Sequence, residues 1–553
     1  MPQPCRRASR HNVPGVCLAA EPALPSKPLP SSIAPCEKPA MHSLPYPVAS
    51  LGRVIMAAVA VVLVASHARS ADTLASVEAY FEEAIAQWDV PGLALAVVKG
   101  DEVVMARGFG VRERGKDEAV DENTLFAIGS ASKAFTAAAL AMLVDEGKLG
   151  WDDPATKHLP GFQLFDPAVT RELTVRDLLC HRSGLPRGDL LWYATPYRRD
   201  EILRRVGRLE PEWSFRSHFG YQNIMYLAAG QIVPRATDLS WDDFVKQRVF
   251  LPLGMKSTVT SVKALESLEN VATPHAKIDG DVEAVAWRDI DNVGPAGSII
   301  SNVSDMAQWV RLQLGEGAVG DRRLISTAAL AEMQAPQTII QSEEYYRAIY
   351  PEAHFLCYGL GWFLHDYAGR KIVEHGGAID GMRAKVAMIP EEELGVVILT
   401  NAERSRLPTA LMFYIFDLYL KPEPRDWSSE FLSLAQEAEK QAEEAKAKRR
   451  AERAENTEPS LPLEAYAGAY ENDLYGEVNV QLEIDHLVLD TFSVLNADLE
   501  HWHYDTFLSR YRDRGIEPRL ITFHLNTSGK VESLVMPDVG TFSRVANSAE
   551  DSQ

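Results

Sequence analysis

Ser130 and Lys133 have the residue types and the spacing that nucleophilic catalysis requires. A serine hydroxyl is a weak nucleophile at its free pKa and needs a neighbouring base. Ser130 falls where a polar loop gives way to a predicted helix that ends near Glu146, so Lys133 returns to the serine's side one turn later. A desolvated lysine loses its proton readily and can act as that base. Taken alone, the pattern also fits an N-cap serine followed by a lysine in solvent.

Tyr221 and Asn223 form a second candidate pair, just before the apolar run Ile224–Val233, which is predicted to be helical. A phenol beside a lysine can have its pKa lowered and so relay a proton to a leaving group. The asparagine amide can donate to a substrate carbonyl and accept from the lysine. The segment Tyr470-Glu471-Asn472 repeats the pattern, and we interpret that copy as a strand-edge turn.

The triplet His375-Gly376-Gly377 is a third candidate, directly after the predicted strand Lys371–Glu374. Two glycines on an inward-facing strand would allow a substrate to approach the backbone closely. The N–H group of the next residue, Ala378, could then pair with that of Ser130 as an oxyanion hole. The alternative is a turn between two strands with a surface histidine.

In this order, the three segments resemble those of class C serine β-lactamases, DD-peptidases and related esterases. The resemblance extends over about residues 75–420. It includes four further stretches: Leu178–Pro186, Pro252–Met255, Gly297–Asp305 and Ile398–Asn401.

The resemblance implies a role for each segment. Ser130 would form the acyl-enzyme and Lys133 would be its general base, while Tyr221 would shuttle the proton. Asn223 would position the substrate. The triplet at 375–377 stands where β-lactamases have Lys-Thr-Gly, so a lysine cation and a threonine hydroxyl are replaced. Histidine is largely neutral at pH 7 unless its pKa is raised. This departure favours an esterase, a D-amino-acid peptidase or an amide hydrolase over an enzyme that recognises the carboxylate of penicillin-like substrates.

The elements that must position these residues predict an α+β fold. Leu93–Val98 and Val103–Ala106 predict a β-hairpin, residues 150–300 predict mainly short helices, and residues 361–400 predict four more strands. A helix at Pro408–Leu420 closes the domain. This order indicates an α/β sandwich, in which a mainly antiparallel sheet is flanked by helices and carries an inserted helical subdomain. The resemblance implies the same β-lactamase/transpeptidase-like fold.

Changes in composition divide the chain into four predicted segments. Residues 1–71 are an N-terminal extension with a signal peptide, and 72–424 are the serine hydrolase domain. Residues 425–458 are a charged helical linker, with Glu and Lys/Arg interspersed at helical spacing. Residues 459–546 carry short alternating runs broken by Gly and Asn/Asp, which predicts a small, all-β C-terminal domain.

The segment Val54–Ala65, with Arg53 before it, predicts export. Its twelve residues are too short to span a bilayer stably but suit the core of a signal peptide. Small residues at 68–71 provide a cleavage site, and Met41 is the expected start of translation. We therefore expect a periplasmic or extracellular protein, the alternative being an uncleaved signal anchor.

Charge and cysteine content exclude several other classes. The formal net charge of -21 repels phosphate backbones, so we expect no nucleic-acid partner. No CxxC motif or Cys/His cluster suggests a metal site, and we expect neither metal nor cofactor. Cys180 and Cys357 are the cysteines of the expected mature chain, and the sequence leaves their pairing open.

Two functions fit these features. One is a hydrolase that cleaves an ester, an amide or a D-amino-acid peptide bond through a serine acyl-enzyme. The other is a penicillin-binding receptor or scaffold that binds peptidoglycan fragments with little turnover. The complete set of Ser130, Lys133 and Tyr221 favours the hydrolase, acting on a small-molecule or peptidoglycan-like substrate.

Overall fold

The computed structural model describes residues 77–341, 344–403, 405–491, 495–537 and 539–546. The predicted extension, signal peptide and cleavage site lie outside these residues. Within the described residues, no helix is both long enough and apolar enough to cross a bilayer.

The described residues between 77 and 400 contain fourteen strands, several of them only two residues long. They are β1 Gly92–Lys99, β2 Glu102–Gly110, β3 Phe126–Ala127, β4 His275–Ile278, β5 Asp281–Ala284, β6 Ile300–Ser301, β7 Ala318–Val319, β8 Arg322–Arg323, β9 Thr338–Ile339, β10 Leu356–Tyr358, β11 Phe363–Tyr367, β12 Arg370–Ile379, β13 Met382–Ile389 and β14 Leu394–Thr400.

Along the chain, the helices lie before, between and after these strands. They are α1 at 77–87, and α2 Ser132–Asp145, α3 Ala155–His158, α4 Pro167–Glu172, α5 Val175–Leu179, α6 Arg199–Arg205, α7 Asn223–Thr237, α8 Trp241–Val245, α9 Leu251–Leu253, α10 Val303–Leu314, α11 Thr327–Met333, α12 Glu344–Ile349, α13 Leu407–Leu420 and α14 Trp427–Ala451.

Eight strands form one antiparallel sheet in the order β2-β1-β14-β13-β12-β11-β10-β9. Strand β1 shows how the layers assemble, because its alternate residues point to opposite faces. Ala94, Ala96 and Val98 pack in the apolar cluster that contains α2 and α10. Leu93 and Leu95 pack in the cluster that contains α1 and α13. The predicted α/β sandwich is confirmed, with α3 to α9 as the helical insertion.

Strand β12 differs from the sequence prediction. We placed the triplet His375-Gly376-Gly377 after a strand that ends at Glu374, but β12 continues to Ile379. Glycine has a low strand propensity, yet Gly376 and Gly377 pair with Lys385 and Ala384 of β13. Pairing in the middle of the sheet therefore holds the triplet extended.

The C-terminal segment forms a closed barrel of eight antiparallel strands. Its strands are β15 Gly468–Asn472, β16 Gly476–Glu483, β17 His486–Asp490, β18 Ala497–His503, β19 Thr506–Tyr511, β20 Arg519–Leu525, β21 Val531–Met536 and β22 Gly540–Arg544. The second Tyr-x-Asn copy forms the end of β15 rather than the turn we predicted. Tyr470 is fully buried there and donates to the carbonyl of Tyr466 at 2.6 Å.

Helix α14 leads from the sheet domain toward the barrel. Trp427 and Phe431 in its first turns are buried against Phe413 of α13. Beyond them the helix is mostly exposed, as its dense charge predicts. Elsewhere in the sheet domain, Cys180 and Cys357 are both buried free thiols.

Candidate active site

Ser130 lies in a single 3-10 turn, Gly129–Ala131, that leads directly into α2. The turn depends on Gly129, whose φ of +49° favours glycine. A Cβ at Gly129 would lie 2.6 Å from the backbone nitrogen of Ala378 on β12. The serine turn and the predicted oxyanion strand are therefore in direct backbone contact.

Lys133, one turn along, points back at the serine. Its Nζ lies 3.0 Å from Ser130 Oγ and 2.8 Å from the carbonyl oxygen of Ala296. The side chain is fully buried. Burial, reinforced by the nearby Arg187 cation, holds the pKa of Lys133 well below its usual 10.5. A neutral amine at this distance can accept the serine proton.

Tyr221 completes a cluster of three groups. It forms a hydrogen bond with Ser130, and its ring centroid lies 4.8 Å from Lys133 Nζ. We predicted a lowered phenol pKa, but burial raises the pKa of Tyr221 although the Ser130 hydrogen bond opposes the shift. Because burial favours the neutral form of Lys133, this lysine is poorly suited to stabilise a phenolate. Tyr221 is therefore a neutral hydroxyl that can both donate and accept a proton.

His181, which sequence reasoning did not place in the site, orients Tyr221. The two rings lie 4.1 Å apart at 32°, and His181 Nδ1 accepts from the backbone N–H of Gln222 at 3.0 Å. Burial lowers the pKa of His181, so the ring packs as a neutral imidazole. Its signal in the sequence is the stretch 178–186, which the resemblance singled out.

Asn223 contacts a group that the sequence did not reveal. Its Nδ2 donates to Asp189 Oδ1 at 3.2 Å, and Trp192 Nε1 donates to the same oxygen at 2.9 Å. Asp189 Oδ2 in turn accepts from Arg187 Nε at 2.5 Å. The guanidinium of Arg187 lies 5.3 Å from the Tyr221 ring centroid. Asp189, which contacts both Arg187 and Asn223, therefore holds a cation in the site.

His375 lies in β12 beside this cluster and is buried rather than on the surface. Its Nε2 is 2.9 Å from the hydroxyl of Tyr358, and its Nδ1 is 2.6 Å from the carbonyl oxygen of Gly376. Burial lowers the pKa of His375 to about 3. A neutral imidazole therefore occupies the position of the lysine cation in Lys-Thr-Gly.

The two glycines of the triplet serve different neighbours. A Cβ at Gly377 would lie 1.8 Å from the carbonyl oxygen of Ile128, so this glycine lets β12 approach the serine turn. A Cβ at Gly376 would meet only ordinary contacts, the nearest at 3.7 Å. We expected both glycines to make room for substrate; at Gly377, the space is already filled by the protein's own backbone.

A buried ion pair lies behind the triplet. Lys385 Nζ on β13 donates to Glu374 Oε2 at 2.7 Å, and the Tyr350 hydroxyl donates to the other carboxylate oxygen. Both charged side chains are almost fully buried. Although burial opposes it, the Lys385 cation holds the pKa of Glu374 below its usual 4.5.

Many of these residues line one cleft of about 770 Å³, and Lys133 contacts it through Ser130. Its floor includes Ser130, Tyr221, Asn223 and the segment 374–379, and its walls add Arg187, Trp192, Phe363, Arg383 and Arg406. The structure thus brings together all the site residues that we predicted. A volume of this size suits a small molecule or a short peptide.

Known families match both parts of the chain. A family model described as Beta-lactamase matches residues 77–416, which include Ser130, Tyr221 and His375. A second model, described as a domain of unknown function (DUF3471), matches residues 452–550.

Two named relatives are similar over long stretches. Unguisins hydrolase ungD of Aspergillus violaceofuscus is 30% identical over 437 residues, which cover 72% of this chain and 75% of that protein. Penicillin-binding protein 4 of Amycolatopsis lactamdurans is 32% identical over 326 residues, which cover 56% and 81%.

Solved structures match the sheet domain and the barrel together. The octameric penicillin-binding protein homologue from Pyrococcus abyssi has a TM-score of 0.56 and 22% identity, covering 85% of this chain and 100% of that one. SurE has a TM-score of 0.52 and 20% identity, with coverage of 86% and 100%. At these identities the likeness shows a shared fold.

Proposed function

Because the chain belongs to the β-lactamase family, we propose that it is a serine hydrolase that forms an acyl-enzyme at Ser130. The observation that carries this proposal is a fully buried lysine whose nitrogen lies 3.0 Å from the serine oxygen. Burial keeps that lysine neutral, and a neutral amine is the base that a serine nucleophile needs.

The reaction would proceed in two halves. Lys133 accepts the proton of Ser130 as the serine oxygen attacks the substrate carbonyl carbon. The N–H groups of Ser130 and Ala378 stabilise the resulting oxyanion. Tyr221 relays that proton from Lys133 to the leaving alcohol or amine as the carbon–oxygen or carbon–nitrogen bond breaks, so Lys133 is neutral again. In the second half, the same groups deprotonate a water molecule, which attacks the acyl carbon of the ester on Ser130. The carboxylic acid is released, and Ser130 regains its proton.

We propose esters, amides and D-amino-acid peptides as the substrate class. The neutral His375 supports this choice, because the triplet then lacks the lysine cation that the Lys-Thr-Gly of β-lactamases carries at this position. A relative named Unguisins hydrolase ungD also supports a hydrolytic function.

We also propose that the protein acts after export, in the periplasm or outside the cell. The apolar run Val54–Ala65 preceded by Arg53 supports this.

A fluorophosphonate probe with intact-mass readout tests the nucleophile. We expect one covalent adduct on the full chain, lost in Ser130→Ala and kept in Ser132→Ala. Ser132 is a matched control, since it lies two residues away and its hydroxyl accepts from the backbone N–H of Ile299. An adduct that survives in Ser130→Ala, or no adduct on the wild type, would contradict the proposal and favour the receptor function.

The same preparation then sorts the substrates. With p-nitrophenyl esters, D-alanyl peptides and nitrocefin in parallel, we expect short-chain ester turnover and weak or absent nitrocefin hydrolysis. Brisk nitrocefin turnover would contradict the role given to the neutral His375.

A further inference from the structure

Arg288 joins the sheet domain to the barrel at the edge of the cleft. Its Nε donates to Asp380 Oδ2 at 2.6 Å, and its Nη2 donates to Asp513 Oδ2 at 2.6 Å. Asp513 belongs to the barrel, in the connection between β19 and β20. The Arg288 side chain is only 10% exposed, so these contacts are shielded from solvent and salt.

Asp380 lies close to the proposed oxyanion hole. It sits in the two-residue turn between β12 and β13, two residues after Ala378. Its Oδ2 also accepts from the Tyr193 hydroxyl at 2.7 Å. Tyr193 follows Trp192, which lines the cleft. One carboxylate therefore connects the sheet, the helical wall and, through Arg288, the barrel.

The barrel makes a second contact, behind the helical wall. Two backbone carbonyls in the turn between β15 and β16 accept hydrogen bonds from the helical wall. The Tyr197 hydroxyl donates to the carbonyl of Tyr475 at 2.8 Å. The Arg205 guanidinium donates to the carbonyl of Leu474 at 3.0 Å. Burial, together with the nearby Asp189 carboxylate, raises the pKa of Tyr475. Asp189 is the group that holds Asn223 and Arg187, so the barrel contacts both sides of the cleft.

We propose that the barrel is a positioning element of the active site, and that Asp513 acts through Arg288 to fix the β12–β13 turn. Fixing this turn sets the distance between the N–H of Ala378 and that of Ser130. The proposal rests on the hydrolase function above, because the oxyanion hole is what it positions. It gives a role to the part of the chain that matches a domain of unknown function.

The charges explain why Arg288 is suited to this. Although burial opposes it, the carboxylates of Asp380 and Asp513 raise the pKa of Arg288, so it stays charged. Removing the guanidinium would leave two carboxylates facing each other without a cation, and their repulsion would displace the turn. Removing only the Asp513 charge would leave the Arg288–Asp380 pair but free it from the barrel.

Three variants of the full chain test the proposal. Asp513→Asn and Arg288→Gln remove the link, while Arg514→Gln is the matched control. Arg514 directly follows Asp513 in the barrel but is not part of the link. It pairs with Asp279 at 2.9 Å and with Glu283 at 3.0 Å at the β4–β5 hairpin. Each variant is measured for the fluorophosphonate labelling rate at Ser130 and for kcat and KM on a p-nitrophenyl ester.

We expect Asp513→Asn and Arg288→Gln to lower the labelling rate and kcat about tenfold, as a displaced catalytic group does, with KM within about twofold. Arg514→Gln should stay within about twofold of wild type on all three measures. The double variant Asp513→Asn/Arg288→Gln should be no slower than Arg288→Gln alone, because both changes remove the same link. If Arg288→Gln does not fold, the rates of Asp513→Asn alone test the proposal. Wild-type rates in the link variants, or an equal loss in Arg514→Gln, would overturn the proposal. Absence of any Ser130 adduct on the wild type would instead overturn the hydrolase function.

Discussion

Two buried lysines lie within the same site and have opposite surroundings. Lys133 is fully buried, and among the described residues it has no carboxylate at ion-pair distance; its neighbours are the Ser130 hydroxyl and the carbonyl of Ala296. Lys385 is also buried, but its nitrogen is 2.7 Å from Glu374. Both lysines cost free energy to desolvate. Only the second recovers part of that cost from an ion pair.

The difference separates chemistry from architecture. A buried lysine without a counterion gives up its proton and becomes a base, as the lowered pKa of Lys133 indicates. A buried lysine with a counterion instead forms an ion pair, which here cross-links β12 and β13. The four predictions below use the two lysines to test that separation.

Lys133→Met should have the largest effect, on rate. Loss of a general base lowers turnover by roughly 10²- to 10⁴-fold. The same change should raise the free energy of unfolding at pH 7. Because the folded pKa of Lys133 lies below its unfolded value of 10.5, the unfolded chain binds more protons, and the wild type loses stability as pH falls from that value. Ester kinetics and urea unfolding at pH 7 measure both effects.

A methionine variant that stays active would show that another group takes the serine proton. One that is inactive and less stable than the wild type would show that Lys133 is charged and paired in the folded state.

Lys385→Met should have the opposite effects, with a large loss of stability and a small change in turnover. Removing one partner of a buried pair leaves an uncompensated charge, and we expect a loss of about 3–5 kcal/mol in unfolding free energy. Turnover per folded molecule should change only a few-fold. The double variant Glu374→Gln/Lys385→Met should recover much of the lost stability, because no lone charge remains.

The pair also predicts a pH dependence of stability. The folded pKa of Glu374 is below its usual 4.5, so the stability that the pair contributes is present above that pH. It is lost as pH falls through the lowered pKa. Urea unfolding of the wild type and the double variant between pH 3 and 7 measures this difference, and parallel curves would contradict it.

Much of this site could be predicted from the sequence, because its parts are local. Ser130 and Lys133 are one helical turn apart, and the strands that carry the triplet have strong apolar patterns. Arg187, Asp189 and Glu374 were not recognised as a group, because only the tertiary fold brings them beside Asn223, Tyr221 and Lys385. The role of the barrel was beyond sequence reasoning for the same reason: Arg288 and Asp513 are far apart in the chain and share no motif.

The chemistry of the triplet also depends on burial, which the sequence does not show. Its histidine was expected to be largely neutral at pH 7, but not to be held neutral down to a pKa of about 3. That low pKa allows the smallest predicted effect to be tested, namely which group sets the acid limb of the pH–rate profile.

The acid limb of kcat/KM should report Lys133 and not His375. Activity needs the neutral amine, so kcat/KM should rise with pH through the lowered pKa of Lys133 and then level off. His375→Gln should leave the midpoint of this limb unchanged, because it replaces one neutral group with another. His375→Lys should move the midpoint to lower pH by roughly one unit, since a like charge disfavours protonation of Lys133. Profiles of the three proteins on one p-nitrophenyl ester measure the shifts. A midpoint that moves in His375→Gln would mean that the histidine carries charge in the working enzyme, and that the site holds a second titrating group.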